Sequence, residues 1–165
     1  MNTKKIVTLG MLTALYVVFS AFLKFTLFSN IMVDLGYIVF TVALCMFGLW
    51  GTVVGVVGCA LESILFSAYG FSISWCMANL AIGLICGDVL LRNKFAFAKA
   101  FVIVISVAVG MLVVKTAIEC YLYAIPLVVK IPKNAVAFAA DTVTMLFGLA
   151  FYQIAGDRIR AITGR

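Results

Sequence analysis

The feature that most constrains this chain is a succession of apolar segments, each close to the length that crosses a membrane as a helix. A transmembrane helix needs about 20 predominantly apolar residues. Six segments come close to this length: Ile6 to Phe28, Asp34 to Leu49, Thr52 to Ala68, Phe71 to Leu91, Phe95 to Tyr123 and Asn134 to Ala155. The sequence therefore predicts an all-α polytopic membrane protein with six transmembrane helices, in which residues 1–165 form a single domain.

The proportion of charged residues excludes a soluble fold. Charged residues make up 11% of the chain, whereas soluble domains carry about 25%. The first apolar segment is too long for the core of a signal peptide and no small-residue cleavage site follows it, so we expect it to remain as a span. The second and third segments are short and are separated only by a Gly-Leu-Trp-Gly turn at residues 48–51. Loop charges decide whether they form two helices or one.

The distribution of basic residues predicts which side of the membrane each loop faces. With six spans, one side holds Lys4, Lys5, Arg92, Lys94, Lys99, Arg158, Arg160 and Arg165, and the other holds Lys24, Lys130 and Lys133. Cytoplasmic loops carry an excess of lysine and arginine, so both termini are expected in the cytoplasm. Fusing the second and third segments would divide the larger basic group between the two sides.

The same distribution explains the net charge of +6. The excess lies on the predicted cytoplasmic side, so we interpret it as a sign of topology and of contact with anionic lipid. No soluble basic face exists that could follow a phosphate backbone, and nucleic-acid binding is therefore not expected.

The residue patterns needed for catalysis or metal binding are missing from the sequence. The chain has no histidine, and its five cysteines share no C-x-x-C spacing, so no metal site is predicted. It also lacks the G-x-x-x-x-G-K-[ST] loop that binds ATP phosphates. We therefore expect neither an enzyme nor a bound cofactor, and any energy for uphill transport must come from other subunits.

Five charged residues inside the apolar segments lie near one end of the predicted helices. They are Asp34, Glu62, Lys115, Glu119 and Asp141, all on the predicted outer side. A charge within the membrane costs several kcal/mol unless it is paired or hydrated, and it usually marks a functional cavity. The pattern predicts a binding cavity that opens to the outside.

Trp75 and Asn79 are candidates for the wall of this cavity. They lie four residues apart and so share a helix face, where an indole and an amide would suit a heteroaromatic ligand. Two alternatives remain open from the sequence. Trp75 can be a residue of the membrane interface, and Asn79 can form a hydrogen bond between helices.

The acidic residues have alternatives of the same kind. Lys115 and Glu119 can form a simple i, i+4 pair, and Asp34 can cap the second helix. Asp141 can pair with Lys130 or with Lys133.

Glu62 is the charge that is hardest to explain by local pairing, because its own span has no basic residue within helical reach. Its partner is expected to be Lys115 or a ligand. With four acids facing one lysine inside the spans, the count favours a ligand that carries positive charge or several N–H donors.

Pairs of small residues four positions apart mark close approach between membrane helices. Such pairs include Gly10-x-x-x-Ala14, Gly51-x-x-x-Gly55 followed by Gly58, and Gly83-x-x-x-Gly87. The second and third pairs are interpreted as packing within the monomer. The first pair has a different environment.

The residues around the first pair, Leu9 to Ser20, resemble the opening helix of substrate-binding S components of energy-coupling factor (ECF) transporters. The resemblance continues through Leu35-Gly36-Tyr37, Phe47 to Gly51, Ser72-Ile73-Ser74-Trp75 with Asn79, Ile82-Gly83-Leu84 and Ile131-Pro132-Lys133-Asn134. It covers most of the chain, and the ordered set of motifs carries it rather than any single one.

The resemblance implies a multi-pass subunit of the bacterial cell membrane that captures a water-soluble vitamin from outside. Such a subunit docks on a transmembrane coupling protein and is reset by two cytoplasmic ATPases, which alone use ATP. In this family a small-residue pair on the first helix meets the coupling protein, which corresponds here to Gly10 and Ala14. The family's pocket lies near the outer surface under the loop after the first helix, here Lys24 to Val33.

The predicted substrate-binding residues are therefore Glu62, Trp75, Asn79, Lys115, Glu119, Asp34, Tyr123 and Asp141. The family's metal-binding branch depends on an N-terminal histidine motif, which this chain lacks, and the vitamin itself is not predicted. The alternative function is a stand-alone secondary transporter or channel, which should carry polar residues through both halves of the membrane.

Overall fold

The chain folds into a helical bundle with one short hairpin. In a computed structural model, residues 3–27, 31–67 and 70–163 are described, with the backbone alone for 24–27, 31–32 and 157–163. The elements in chain order are α1 (Thr3–Phe22), β1 (Lys24–Leu27), β2 (Ile31–Asp34), α2 (Gly36–Phe47), α3 (Thr52–Phe66), α4 (Ile73–Arg92), α5 (Ala96–Ala108), α6 (Thr116–Tyr123) and α7 (Leu127–Thr163). A 3₁₀ turn (Gly48–Gly51) joins α2 to α3, and a π-helical segment (Val109–Lys115) joins α5 to α6.

Within the described residues, five stretches of helix are long and apolar enough to cross a membrane. They are Thr3–Phe22, Gly36–Phe66, Ile73–Arg92, Ala96–Tyr123 and Leu127–Gly156. This confirms the prediction of a polytopic helical membrane protein. The stretch Gly36–Phe66 contains both α2 and α3.

The 3₁₀ turn reverses the chain between α2 and α3. Gly48 has φ of +60°, a conformation that favours glycine over any residue with a side chain. A Cβ atom on Gly51 would lie 2.5 Å from the carbonyl oxygen of Ala43, and one on Gly55 would lie 2.5 Å from the ring of Phe40. Because later residues of α3 contact earlier residues of α2, the two helices run antiparallel.

The first predicted span was too long. Helix α1 ends at Phe22, and the next residues form strand β1, which pairs antiparallel with β2 so that Lys24 lies opposite Asp34. The expected end at Phe28 lies outside the described residues, as does the end of the third span at Ala68. Strand β2 packs against α7, so the predicted Lys24 to Val33 loop is a hairpin at one end of the bundle. We call this end the hairpin end.

The last helix begins earlier than predicted. Its first residue is Leu127 rather than the predicted Asn134, and Pro132 lies inside it. Pro126 precedes the helix, and its carbonyl oxygen accepts hydrogen bonds from the amides of Val129 (3.0 Å) and Lys130 (3.3 Å). Proline is tolerated at the start of a helix because the amides of the first turn have no acceptor within the helix, so no hydrogen bond is lost. Lys130 therefore lies on a helix and not in a loop.

Helix α2 is the centre of the bundle. Its residues Tyr37, Phe40 and Leu44 are fully buried, and it packs against α1, α4 and α7. Helix α1 lies at the periphery. Only 22% of an 18-residue stretch of it is buried, compared with 78% of such a stretch in Gly36–Phe66. This difference leaves an apolar face of α1 available for lipid or for another protein.

Candidate functional site

Polar side chains from three helical segments meet around Lys115 at the hairpin end. Lys115 is the last residue of the π-helical segment and is 3% exposed. Its Nζ lies 3.8 Å from the centre of the Trp75 ring on α4 and donates a hydrogen bond of 3.0 Å to Oδ1 of Asn134 on α7. The same Nζ lies 3.8 Å from Oε1 of Glu119 on α6. A buried ammonium is thus held by a ring face, an amide and a carboxylate.

Glu119 is shared between two lysines. Its Oε2 lies 3.2 Å from Nζ of Lys130 and accepts a 3.2 Å hydrogen bond from Nδ2 of Asn134. Its Oε1 lies 3.5 Å from the Ser74 hydroxyl, which donates to it. The interpretation of Lys115 and Glu119 as an isolated helical pair is therefore incomplete, because Lys130 and Asn134 from α7 complete the arrangement.

Asn134 is the central residue that the sequence analysis did not select as a site residue. It is fully buried and also donates a 2.9 Å hydrogen bond from Nδ2 to the Thr116 hydroxyl. Its sequence signal was an amide at the predicted start of an apolar span, which was used only as part of the family resemblance. We call the group Ser74, Trp75, Lys115, Thr116, Glu119, Lys130 and Asn134 the Lys115 cluster.

The π-helical segment Val109–Lys115 orients the side chains of this cluster that follow it in the chain. Just after it, the hydroxyl of Thr116, the first residue of α6, donates a 3.1 Å hydrogen bond to the carbonyl oxygen of Met111, five residues earlier. A Cβ atom on Gly110 would lie 3.0 Å from the carbonyl oxygen of Ala78, so the segment packs closely on α4. Single π-helical turns inside α-helices occur frequently at functional sites. The wider turn changes the direction in which Lys115 and Glu119 project.

Asn79 occupies a different position from Trp75. Its Oδ1 accepts a 2.7 Å hydrogen bond from the Tyr37 hydroxyl, and its Nδ2 donates to the carbonyl oxygen of Gly55 at 3.1 Å and to the Tyr16 hydroxyl at 3.5 Å. The amide therefore joins α1, α2, α3 and α4. This geometry favours the alternative interpretation, a hydrogen bond between helices, for Asn79.

Asp34 accepts hydrogen bonds at the start of α2. Its Oδ1 accepts a 2.8 Å hydrogen bond from the amide of Gly36, and its Oδ2 accepts a 2.7 Å hydrogen bond from the Ser20 hydroxyl on α1. These bonds agree with the capping alternative, because a carboxylate satisfies amides that the first helical turn leaves without partners.

Asp141 is the buried carboxyl with the fewest partners. It is 2% exposed on α7, and within the described part of the chain its Oδ2 has no hydrogen-bond partner. It lies within electrostatic range of Asp34 and Lys115. The expected pairing with Lys130 is not observed, because Lys130 contacts Glu119. An unsatisfied buried acceptor costs about 1–3 kcal/mol, so Asp141 is available to a donor from water or ligand.

Glu62 and Tyr123 lie on other parts of the hairpin end. Glu62 is 9% exposed on α3, where its electrostatic neighbours include Cys59 and Cys76. Tyr123 is the last residue of α6 and is half-exposed.

The charge balance at this end differs from the one counted on the sequence. Because α7 begins at Leu127, Lys130 and Lys133 join Lys115 on helices, and three lysines stand near the four acids. The four acids are Asp34, Glu62, Glu119 and Asp141. The excess of negative charge on the helices, which favoured a cationic ligand, is thereby reduced.

The small-residue pairs separate into two kinds. A Cβ atom on Gly58 would lie 2.4 Å from the Tyr16 ring, and one on Gly83 would lie 2.4 Å from the Thr52 hydroxyl, so these glycines pack within the monomer as predicted. Gly10 differs, because a Cβ atom there would meet nothing within 4 Å. Gly10 and Ala14 are both exposed on α1.

The comparisons with known proteins agree with this architecture. The chain matches the family model of the ECF-type riboflavin transporter, S component, over residues 1–156. It is similar to FolT in a crystal structure bound with folic acid, with a TM-score of 0.69 and 18% identity, covering 90% of this chain and 92% of that chain. It is also similar to the S-component for biotin from an ECF-type ABC transporter, with a TM-score of 0.69 and 14% identity, covering 95% of each chain. A comparison with curated proteins gave no match.

Proposed function

Because this chain belongs to the family of ECF-type riboflavin transporter S components, we propose that it captures riboflavin. The family membership confirms the resemblance found in the sequence: the chain is an integral membrane protein and the substrate-binding subunit of a vitamin transporter. We propose further that it delivers the vitamin to a transmembrane coupling protein and two cytoplasmic ATPases, which alone use ATP.

The observation that supports the choice of riboflavin is the Lys115 cluster, which includes Trp75. Riboflavin has a flat heteroaromatic ring whose edge carries one N–H donor and two carbonyl acceptors. A half-buried indole offers a stacking surface for such a ring, and the cluster combines an ammonium and an amide donor with carboxylate acceptors at one place. The mixed donors and acceptors suit that edge without requiring charge on the ligand.

The ribityl chain of riboflavin adds four hydroxyl groups that need partners. Asp141 supports this part of the proposal, since its Oδ2 is buried and lacks a donor among the described residues. We assign Glu62 and Tyr123 to the rim of the same site, since both lie at the hairpin end. The β1–β2 hairpin is proposed as the lid.

The proposal includes the direction of the site. With α2 and α3 counted as separate spans, six helices cross the membrane, both termini lie in the cytoplasm and the hairpin end faces outward. The excess of basic residues at the opposite end supports this orientation.

Accessibility labelling tests the orientation. In a background without cysteines, Lys94→Cys is expected to react with a membrane-impermeant maleimide only after the cells are opened. The matched control is Tyr121→Cys, because Tyr121 is 88% exposed and lies near the hairpin end; it should react in intact cells. Labelling of Lys94→Cys in intact cells would contradict the six-helix topology.

Binding by the purified protein tests the vitamin. Riboflavin is expected to bind with one molecule per chain and to lose fluorescence, because stacking on an indole quenches a flavin. Folic acid and biotin, the ligands of the two similar structures, should not compete. The proposal fails if riboflavin does not bind while either of the other vitamins does.

A further inference from the structure

A surface groove lies at the end of the bundle opposite the Lys115 cluster. It has a volume of about 500 Å³. Its walls come from the 3₁₀ turn, α3 and α4, and its lining residues are Leu49, Trp50, Thr52, Val53, Val56, Val57, Leu80 and Leu84. The part along the 3₁₀ turn and α3 spans residues 49–57, which corresponds to about 12 Å at the rise of an α-helix. The groove therefore has the length of a segment of acyl chain.

A lysine stands at one end of this groove. Nζ of Lys5 lies 5.1 Å from the centre of the Trp50 ring and 5.9 Å from that of Phe47. Trp50 also lines the groove, so the side chain that contacts the Lys5 ammonium is itself part of the apolar wall. Among the described residues, Lys5 contacts aromatic rings and no carboxylate. The nearby acid Asp88 lies 3.7 Å from Arg92.

A lysine ammonium has three N–H donors, and a ring face satisfies none of them fully. An apolar groove with an uncompensated cation at one end fits an amphiphile with an anionic head. Basic residues near the cytoplasmic membrane surface attract anionic lipid.

We propose that this groove is a binding site for one anionic phospholipid. One acyl chain lies along Val53, Val57 and Leu84, and the phosphate of the headgroup contacts Nζ of Lys5 beside Trp50. The site is separate from the vitamin site, and it ties the position of the helix α1 terminus to the lipid of the cytoplasmic leaflet.

Native mass spectrometry of the purified protein with equal amounts of phosphatidylglycerol and phosphatidylcholine tests the proposal. One molecule of phosphatidylglycerol is expected to remain bound in preference to phosphatidylcholine. Lys5→Gln should abolish this preference, because it removes the charge but keeps a side chain of similar length. Lys4→Gln is the matched control, since Lys4 is the adjacent exposed lysine, and it should keep the preference.

A second pair of variants tests the groove itself. Val53→Trp should fill it and lower the retention of both lipids, whereas Val104→Trp, on α5 at a site that is 37% exposed and does not line the groove, should not. Equal retention of the two lipids by the unaltered protein would overturn the proposal, as would equal losses in Lys4→Gln and Lys5→Gln. If Val53→Trp keeps the lipid but blocks assembly with the coupling protein, the groove belongs to that protein. Riboflavin binding should be unchanged in all four variants, so failure here is distinct from failure of the vitamin assignment.

Discussion

Replacement of Gly10 and Ala14 by leucine is expected to abolish riboflavin uptake by cells while riboflavin binding by the purified subunit stays unchanged. The reason is that both residues are exposed on α1 and a Cβ atom added at Gly10 would meet nothing within 4 Å among the described residues. Close approach of two membrane helices needs small residues at the contact, so two leucines would keep the coupling protein away. Uptake of labelled vitamin and calorimetry on the purified variant measure the two activities.

The control for this prediction is a glycine of the same type in the opposite environment. A Cβ atom on Gly58 would lie 2.4 Å from the Tyr16 ring, so Gly58→Leu should disturb the packing that supports the Asn79 junction. This variant is expected to lose thermal stability and both activities together. If the Gly10 and Ala14 double variant behaves in the same way as Gly58→Leu, the α1 face has a role in folding and not in docking.

The Lys115→Met variant is expected to bind riboflavin about tenfold to a hundredfold more weakly, since a hydrogen bond to a charged group contributes about 1.5–3 kcal/mol. Its free energy of unfolding should also fall by about 3 kcal/mol, because the buried Glu119 carboxylate loses the ammonium of Lys115. Lys130 remains 3.2 Å from Glu119 and limits this loss. Titration with riboflavin and thermal unfolding in detergent measure the two effects.

The double variant Lys115→Met with Glu119→Gln separates a ligand contact from a structural ion pair. Without the carboxylate, the negative charge that Lys115→Met leaves less compensated is removed, but Lys130 loses its partner, so stability should recover only in part relative to Lys115→Met alone. Affinity should stay low if the two side chains contact the vitamin. Recovery of affinity together with stability would show that the pair only supports the fold, which is the alternative that the sequence left open.

The distribution of the charged residues made the general position of the site predictable, but not its partners. Glu119, Lys115 and Asp141 stand out in the sequence because an ionisable residue in an apolar segment is costly. Lys130 and Asn134 did not stand out, since the apolar segment that predicted the last helix begins only at Asn134. The structure begins this helix at Leu127, which brings Lys130 within 3.2 Å of Glu119.

The sequence could not decide between the two roles of Asn79. Its spacing from Trp75 places both on one face of α4 in an ideal helix, but Trp75 contacts Lys115 and Asn79 contacts Tyr37. Trp75 and Asn79 therefore face different neighbouring segments although they are only four residues apart. Which neighbour a side chain contacts depends on how the helices pack, and residue spacing does not encode that packing.

The sequence by itself determined that this chain is a polytopic helical membrane protein in which five ionisable residues of the apolar segments lie near one end of the bundle. Those properties depend on local apolar length and on the cost of charge in lipid, both of which are readable along the chain. The tertiary structure decided which polar groups meet. The π-helical segment Val109–Lys115 shows why, because one extra residue in a turn rotates all that follows by about 100°. Only the packed helices determine whether Lys115 faces Trp75 and Asn134 or lipid.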